Sequence, residues 1–227
     1  MIIGNFLYRF LRYFVQFYFW VKYKKTVYNK DKLPKKYSGG YIIACNHQSY
    51  TDPPAIASVV KGRFSFMAKD ELFRKNPFFA ILIRMCGAFP VVRGAGDSAV
   101  IDKSVALLKK GRILVIFPEG TRSKDGTIGR GKTGVALIAA MANAPVLPVC
   151  IMYGLGGNKK TIDFAVGDII PAEEIALNQD GDRKELRRIS SRIVDSIKEL
   201  QAQILQERGI ETLVTEQTAK ELKEENE

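Results

Sequence analysis

The chain contains one histidine, His47, and an aspartate follows it five residues later at Asp52. An aspartate that accepts the Nδ1–H of a histidine fixes the tautomer of the ring and stabilises the imidazolium formed during general-base catalysis. On a helix, positions five apart point about 140° away from each other, so a turn through residues 48–51 is needed to bring the two side chains together. The alternative is that Asp52 only caps a helix and His47 is an ordinary loop residue. The pair alone favours the second interpretation.

A second polar loop, residues 118–123, follows the apolar run 113–117 and reads Pro-Glu-Gly-Thr-Arg-Ser. Gly120 allows a ligand to approach the backbone closely, and the carboxylate of Glu119 can accept protons from hydroxyl groups. The guanidinium of Arg122 offers two parallel donors to a phosphate. A turn with a helix cap would use the same residue types, so this loop is ambiguous alone.

Two more cations come at the ends of apolar runs, Lys69 after residues 64–68 and Arg93 after residues 88–92. The carboxyl ends of parallel strands meet at one edge of a sheet, which is where ligands bind in open α/β folds. As strands of one parallel sheet, these runs would place both cations on the same edge as His47 and the loop 118–123. Each cation taken singly is better explained as a surface residue, but together the predicted edge collects three cations, one histidine and two carboxylates.

Short apolar runs alternate with helix signals along the body of the chain, and several runs are apolar on both faces, as strands buried between helices are. The predicted strands are residues 40–45, 64–68, 88–92, 113–117, 146–152 and 162–166. The predicted helices begin at Asp52-Pro53, Asn76-Pro77, Asp97, Val135 and Asp182 with Glu185, and the last of them runs to Gly209. This alternation predicts an α/β domain with a mostly parallel central sheet flanked by helices.

The stretch GTIGRGKT, residues 126–133, fits the phosphate-cradling pattern G-x-x-x-x-G-K-[ST] at every fixed position. In a nucleotide-binding loop the first glycine directly follows a buried strand, whereas here residues 118–125 separate it from the preceding apolar run. The sequence also lacks an apolar strand that ends in an aspartate to hold magnesium. We therefore interpret the stretch as a flexible basic loop beside the site and reject nucleotide hydrolysis.

The net charge is +11, although residues 211–227 contain six acids and two lysines. Such a surplus indicates an anionic partner: nucleic acid, lipid headgroups or phosphorylated substrates. Ten of the 23 aromatic residues fall within residues 1–23, which is more typical of a lipid interface than of a nucleic-acid surface. The three cysteines are far apart and lack the spacing of metal ligands, so neither a metal cluster nor a disulfide framework is expected.

Residues 1–30 predict an amino-terminal helix that lies in a membrane interface. Its polar residues fall on one narrow stripe at helical spacing, at Asn5, Arg9, Arg12 and Gln16. The longest uncharged run after Arg12 is nine residues, whereas a spanning helix needs roughly 20. We expect a monotopic or peripheral protein on the cytoplasmic face of a membrane, with a helix packed on its own domain and a tilted span as alternatives. The rest divides into a domain of residues 31–210 and a charged tail of residues 211–227.

Asn46-His47 with Asp52, together with the block Phe117–Ser123, resembles the motifs of the glycerolipid acyltransferase family, to which the 1-acyl-sn-glycerol-3-phosphate acyltransferases belong. Two weaker family blocks occur in the expected order, Phe-Pro-Val-Val-Arg-Gly at 89–94 and Ala-Pro-Val-Leu-Pro-Val at 144–149. The resemblance covers residues 40–152. A His-x4-Asp pair is weak evidence by itself, but its combination with the Glu-Gly-Thr-Arg block is specific.

The resemblance implies transfer of a fatty acyl group from acyl-carrier protein or acyl-coenzyme A to the sn-2 hydroxyl of 1-acyl-sn-glycerol-3-phosphate (lysophosphatidic acid), giving phosphatidic acid. His47 would be the general base on that hydroxyl, and Asp52 would orient it. Cations would hold the acceptor phosphate, and Glu119 would bind glycerol hydroxyls or brace an arginine. The implied substrate-binding residues are Lys69, Arg93, Glu119, Gly120, Thr121 and Arg122. The resemblance implies no metal and no cofactor besides the acyl donor.

Three alternatives stay open at this stage. An enzyme of the same family could acylate glycerol-3-phosphate or another lysophospholipid, and an acceptor screen separates these. A non-catalytic relative would bind membrane lipids without transferring an acyl group. A basic nucleic-acid binder would show salt-sensitive binding to DNA or RNA, but the body of the chain has no aromatic and basic motif for it, so we expect no nucleic-acid partner.

Overall fold

The centre of the molecule is a seven-stranded sheet. The structure is a computed structural model that describes residues 2–34, 39–91, 98–176 and 183–210. For residues 2–9, 11 and 12 the description covers the backbone alone. The strands are β1 Lys24–Tyr28, β2 Tyr41–Cys45, β3 Phe64–Lys69, β4 Ala88–Val91, β5 Ile113–Ile116, β6 Val146–Tyr153 and β7 Thr161–Val166. Their order across the sheet is β1-β7-β6-β2-β5-β3-β4. All neighbouring pairs are parallel except β6 and β7, so β1 and β7 run opposite to the other five.

Helices cover both faces of this sheet. They are α1 Ile2–Lys22, α2 Asp52–Val59, α3 Glu71–Arg74, α4 Pro77–Met85, α5 Ser98–Lys109, α6 Gly134–Ala142 and α7 Arg183–Glu207. Helices α1, α2 and α4 pack on one face, whereas α5, α6 and α7 pack on the other. The mostly parallel α/β architecture expected from the sequence is confirmed.

Strand β2 shows why the sheet needs both helical layers. Ile42 and Ala44 belong to the apolar cluster on the α5–α7 side, and Tyr41, Ile43 and Cys45 belong to the cluster on the α1–α2 side. All five residues are buried, because side chains of a strand alternate between the faces and both faces are covered. The continuous apolar run that predicted this strand is therefore a direct consequence of its central position.

Five strands end at the same edge of the sheet, which we call the carboxyl edge and define by Cys45, Lys69, Val91, Ile116 and Tyr153. Strands β1 and β7 begin there, since the second residue of each is aligned with the last residue of β6. Helix α1 therefore also ends at this edge. The ring of Tyr23, which directly precedes β1, meets the ring of Tyr153 edge-on with centroids 6.4 Å apart.

The six predicted strands are confirmed, but the sequence analysis missed β1. Residues 24–28 read Lys-Lys-Thr-Val-Tyr and were included in the amino-terminal helical segment 1–30, whereas α1 ends at Lys22. This edge strand is mostly half-buried and pairs only with β7 among the described residues, so its sequence lacks the apolar run of a central strand. None of the helices in the described part of the chain combines the length and apolarity that crossing a membrane requires.

The start of α4 matches its sequence signal, and α2 begins at Asp52 as predicted, but Asp52 is not its cap. Asn76 caps α4 by accepting a hydrogen bond from the backbone N–H of Phe79 at 3.0 Å, and Pro77 occupies the first turn. For α2 the cap position is Thr51, so the interpretation of Asp52 as a helix cap is wrong. The carboxylate of Asp52 instead forms hydrogen bonds with the loop that precedes the helix. The predicted starts at Asp97 and Asp182 lie outside the described residues.

The end of α7 is tied to the sheet by an ion pair in which only the acid is fully buried. Asp163 of β7 is fully buried, and its Oδ1 accepts hydrogen bonds from Nη2 and Nε of Arg208 at 2.5 and 3.0 Å. Arg208 also donates to Oγ1 of Thr26 in β1 at 3.1 Å. Within the described residues Asp163 Oδ2 has no hydrogen-bond partner. Arg208 is thus the main group that compensates the buried charge of Asp163, and its contacts join β1, β7 and the end of α7.

Replacing Arg208 with alanine should lower the free energy of unfolding by roughly 3 kcal/mol, because it leaves the Asp163 carboxylate buried and unpaired. Denaturant unfolding of the purified protein measures this. Arg188→Ala, within α7, is the matched control, since its exposed pair with Glu185 should contribute less than about 1 kcal/mol. Equal effects of the two substitutions would contradict the assignment.

Candidate active site

The side chains of His47 and Asp52 meet at the carboxyl edge of the sheet. His47 lies two residues beyond the end of β2, and Asp52 is the first residue of α2. The intervening turn closes with a hydrogen bond from the N–H of Asp52 to the carbonyl of Ser49 at 3.2 Å. Nδ1 of His47 is 2.7 Å from Oδ2 of Asp52. The turn that a contact between His47 and Asp52 needs is therefore present, and it brings the two side chains together.

The carboxylate of Asp52 is fully buried but surrounded by donors. Besides the His47 ring, Oδ2 accepts hydrogen bonds from the backbone N–H groups of Gln48 and Ser49 at 2.8 and 2.9 Å. The other oxygen, Oδ1, accepts a hydrogen bond from the hydroxyl of Tyr153 at 2.8 Å. A buried carboxylate is tolerated only when it is hydrogen-bonded in this way. These contacts fix the position of the group that orients the histidine.

Tyr153 was missed by the sequence analysis, which ended its last family block before this residue. It is the final residue of β6, and an aromatic residue at the end of an apolar strand is hard to distinguish from core packing. Burial, and then the charge of Asp52, raise the pKa of Tyr153 well above its ordinary value. The phenol therefore stays protonated and acts as a hydrogen-bond donor throughout the working pH range.

The loop after β5 holds the backbone and ring of His47. Phe117 stacks on the imidazole with ring centroids 4.0 Å apart and planes inclined by 17°. The N–H of His47 donates to Oε1 of Glu119 at 3.0 Å, and its carbonyl accepts from the N–H of Ser123 at 2.7 Å. The two polar loops recognised in the sequence are therefore one connected structure.

Glu119 also organises the loop that follows it. Its second oxygen, Oε2, accepts a hydrogen bond from the N–H of Gly129 at 3.1 Å. Lys132 crosses back over the Glu-Gly-Thr-Arg block, with its N–H donating to the carbonyl of Pro118 at 2.8 Å. Gly120 has a φ of +69°, and a Cβ there would be only 3.0–3.2 Å from the Lys132 side chain. The left-handed backbone conformation therefore favours glycine at this position, whereas the flexible Lys132 side chain could move aside for a Cβ.

The stretch GTIGRGKT does not have the context of a nucleotide-binding loop. Its first glycine, Gly126, uses its carbonyl to accept a hydrogen bond from Gln201 of α7 at 2.8 Å. A Cβ on Gly131 would lie 2.6 Å from Cγ2 of Val194, also on α7. Both glycines thus serve contacts with α7, and the segment folds around Glu119. This arrangement agrees with the rejection of nucleotide hydrolysis.

The cations named from the sequence differ in how closely they approach this pair. The Arg122 guanidinium lies 3.7 Å from the centre of the exposed Tyr50 ring, so a cation–π contact places it beside the loop of His47. Thr121 is exposed on the same loop as Glu119 and Gly120. Lys69 is exposed at the end of β3, two strands from β2 on the same edge. Arg93 lies outside the described residues.

Cys45, immediately before the site, is fully buried in β2. Burial, followed by the charge of Asp52, raises the pKa of its thiol well above the ordinary value. Such a thiol is a poor nucleophile, so Cys45 is an inert core residue. Within the described ranges no cluster of three histidine, cysteine or acidic side chains is arranged to hold a metal ion.

Comparisons with known proteins point to one family. A family model described as Acyltransferase matches residues 24–152. The 1-acyl-sn-glycerol-3-phosphate acyltransferase of Streptococcus pneumoniae is 34% identical over 193 residues, which cover 81% of this chain and 70% of that protein. The enzyme of the same name from Bacillus subtilis is 37% identical over 124 residues, covering 54% of this chain and 59% of the relative, less than two thirds of its length.

A solved structure gives the same result for the fold. The crystal structure of PlsC, the 1-acyl-sn-glycerophosphate acyltransferase of Thermotoga maritima, superposes with a TM-score of 0.67 at 26% sequence identity. The match covers 88% of this chain and 81% of that chain, so it includes most of the sheet and both helical layers. On the family match and these similarities, the chain belongs to the acyltransferase family.

Proposed function

We propose that the protein transfers a fatty acyl group from acyl-carrier protein or acyl-coenzyme A to the sn-2 hydroxyl of 1-acyl-sn-glycerol-3-phosphate, forming phosphatidic acid. The observation that carries the proposal is the 2.7 Å contact between His47 Nδ1 and the fully buried carboxylate of Asp52. Similarity to enzymes named for this reaction supports the choice of acceptor. The unit proposed to carry this reaction is residues 31–210 together with β1, which pairs with β7 in the same sheet.

In the proposed reaction His47 is the general base. With Nδ1–H donated to Asp52, the lone pair on Nε2 accepts the proton of the sn-2 hydroxyl as its oxygen attacks the thioester carbonyl. The carbon–sulfur bond then breaks, and the thiolate leaves with the proton from the imidazolium. Asp52 remains charged and stabilises the imidazolium between these steps. This route requires neither a metal nor a covalent acyl–enzyme.

The acceptor phosphate would bind to the cations of the carboxyl edge. Arg122 is already positioned by Tyr50, and its planar fork suits a phosphomonoester. Lys69 and Arg93 are the further candidates, and the exposed Thr121 beside Gly120 can donate a hydrogen bond from its hydroxyl. Both oxygens of Glu119 have backbone partners, but a carboxylate can accept more than one hydrogen bond per oxygen. A role for Glu119 toward the glycerol hydroxyl remains part of the proposal.

Helix α1 would hold this site at the cytoplasmic face of a membrane. It exposes a set of large apolar side chains: Phe10, Tyr13, Phe14, Phe17, Trp20 and Val21. The inner face of α1 packs on the domain, since Phe19 is buried against the sheet. Because α1 ends at the carboxyl edge, a lysolipid could keep its acyl chain in the bilayer while its headgroup reaches His47.

Replacing His47 with alanine should lower the rate of acyl transfer by roughly 10²–10⁴-fold, because the general base is removed. The assay measures labelled phosphatidic acid formed from lysophosphatidic acid and an acyl thioester, with circular dichroism and vesicle binding as checks on folding. Equal rates for the wild type and the variant would exclude His47 as the base.

The same assay with other acceptors tests the substrate. Glycerol-3-phosphate and lysophosphatidylcholine should be poorer acceptors, since the first lacks the acyl chain and the second lacks an exposed phosphomonoester. A higher rate with either would assign the enzyme to that acceptor within the same family. A folded wild type that binds vesicles but acylates none of the three would indicate a non-catalytic relative.

Replacing Tyr153 with phenylalanine should lower kcat by about tenfold with little change in KM, because one charge-assisted hydrogen bond that fixes Asp52 is lost. Steady-state kinetics with lysophosphatidic acid give both constants. Tyr50→Phe is the matched control: it keeps the ring under Arg122, so both constants should stay within about twofold of the wild type. Unchanged kcat in Tyr153→Phe would show that Asp52 does not need this donor.

A further inference from the structure

Helix α4 has an unusual outer surface. Its sequence, Pro-Phe-Phe-Ala-Ile-Leu-Ile-Arg-Met, contains a single charged residue, Arg84. A helix on the surface of a globular protein normally carries polar residues on its outer side. Here the outer side is apolar, with Phe78 83%, Phe79 44%, Ile81 55% and Leu82 43% exposed. We call these four residues the α4 patch.

The α4 patch is not needed to hold the helix on its own domain. The inner face of α4 is formed by Ala80, which is buried, and Ile83, which packs against the small cluster of Phe73 and Ala88. This cluster continues through Phe66 of β3 to the core on the α1–α2 side. The patch therefore lies on the side of α4 that faces away from the sheet.

Cations lie at both ends of the patch. Arg74 and Lys75 are exposed just before α4, and Arg84 lies in its last turn with its guanidinium 5.1 Å from the centre of the Phe73 ring. The acids nearby are Asp70, which is paired with Arg74, and Glu71. An apolar centre with basic ends matches the chemistry of a bilayer that contains anionic lipids, whose acyl chains lie beneath negative headgroups.

The patch lies on the same face of the sheet as α1. Helices α1 and α2 pack on the cluster that includes Phe64 of β3, and α4 packs beside Phe66 on the same side of that strand. Helix α4 follows β3 and α3, so its first turn, with Phe78, starts toward the carboxyl edge where α1 ends. Two exposed apolar surfaces thus lie on one face of the domain, and each helix has one end toward the carboxyl edge.

We propose that the α4 patch is a second lipid-contacting surface, which inserts into an anionic bilayer independently of α1. Contacts from two helices on one face would fix the orientation of the domain on the membrane, whereas a single helix would leave the domain free to tilt. The suggested purpose, presenting the carboxyl edge to a lysolipid, rests on the proposed function. Binding to lipid does not, and it can be measured without acyl transfer.

The single tryptophan of the chain, Trp20, allows a direct test. In a Trp20→Phe background, Phe78→Trp places a unique fluorophore in the α4 patch, and Met141→Trp places one at a half-exposed position on α6, on the opposite face. Each protein is mixed with phosphatidylcholine vesicles that contain phosphatidylglycerol. We expect a blue shift, and quenching by brominated acyl chains, for the fluorophore at 78 and neither for the one at 141.

Three results would overturn the proposal. Vesicles could shift Trp20 in the wild type but leave the fluorophore at 78 unchanged, which would make α1 the sole contact. A blue shift that appears without vesicles and grows with protein concentration would show that a second copy covers the patch. Equal quenching at positions 78 and 141 would show that binding does not select this face.

A functional readout separates this proposal from the proposed reaction. The double substitution Phe78→Glu with Leu82→Glu should lower vesicle partitioning by at least about tenfold, since two apolar contacts with the lipid acyl chains are lost. Met141→Glu is the control and should leave partitioning unchanged. Acylation of lysophosphatidic acid dispersed in detergent should stay within about twofold of the wild type in both variants. Unchanged partitioning of the double variant overturns the α4 proposal, whereas a wild type inactive in detergent counts against the reaction alone.

Discussion

The buried carboxylate of Asp52 is the constraint on which the candidate site depends. A charge at this depth is costly unless it is hydrogen-bonded. The chain supplies donors to both oxygens from separate segments: the loop after β2 gives backbone N–H groups and the His47 ring, and the end of β6 gives Tyr153. Because β2 and β6 are neighbours in a parallel register, their ends reach the same edge. The sheet topology is thus what makes this carboxylate possible, and the carboxylate in turn fixes the histidine.

A second carboxylate, that of Glu119, fixes the same histidine through its backbone. It joins the loop after β2 to the loop after β5 and to Gly129 further along, so the polar segments form one body around His47. The Glu-Gly-Thr-Arg block therefore has a structural role, which is to hold the loops around His47 together. Its arginine, held against Tyr50, belongs to the same loop. In the proposed function, alignment of the base and binding of the acceptor phosphate would be coupled through a few residues of backbone.

The sequence predicted most of the fold because the central strands are buried on both faces and therefore appear as continuous apolar runs. Strand β1 escaped prediction because Lys24–Tyr28 is an edge strand whose formation depends on pairing with β7. At the site, the five-residue spacing of His47 and Asp52 suggested the contact, but the apparent cap signal at Asp52 was misread. Tyr153 could not be found from the sequence, since only the β2–β6 pairing brings its hydroxyl to Asp52. Such contacts depend on tertiary structure rather than on local spacing.

The most direct test of this account is the protonation state of the single imidazole in the chain. Selective 15N labelling of histidine gives the signals of His47 alone, and their chemical shifts report which ring nitrogen carries the proton. The account predicts that the neutral ring is protonated on Nδ1, with a free lone pair on Nε2, and that Asp52→Asn abolishes this preference. A neutral ring protonated mainly on Nε2 in the wild type would contradict the role of His47 as the base.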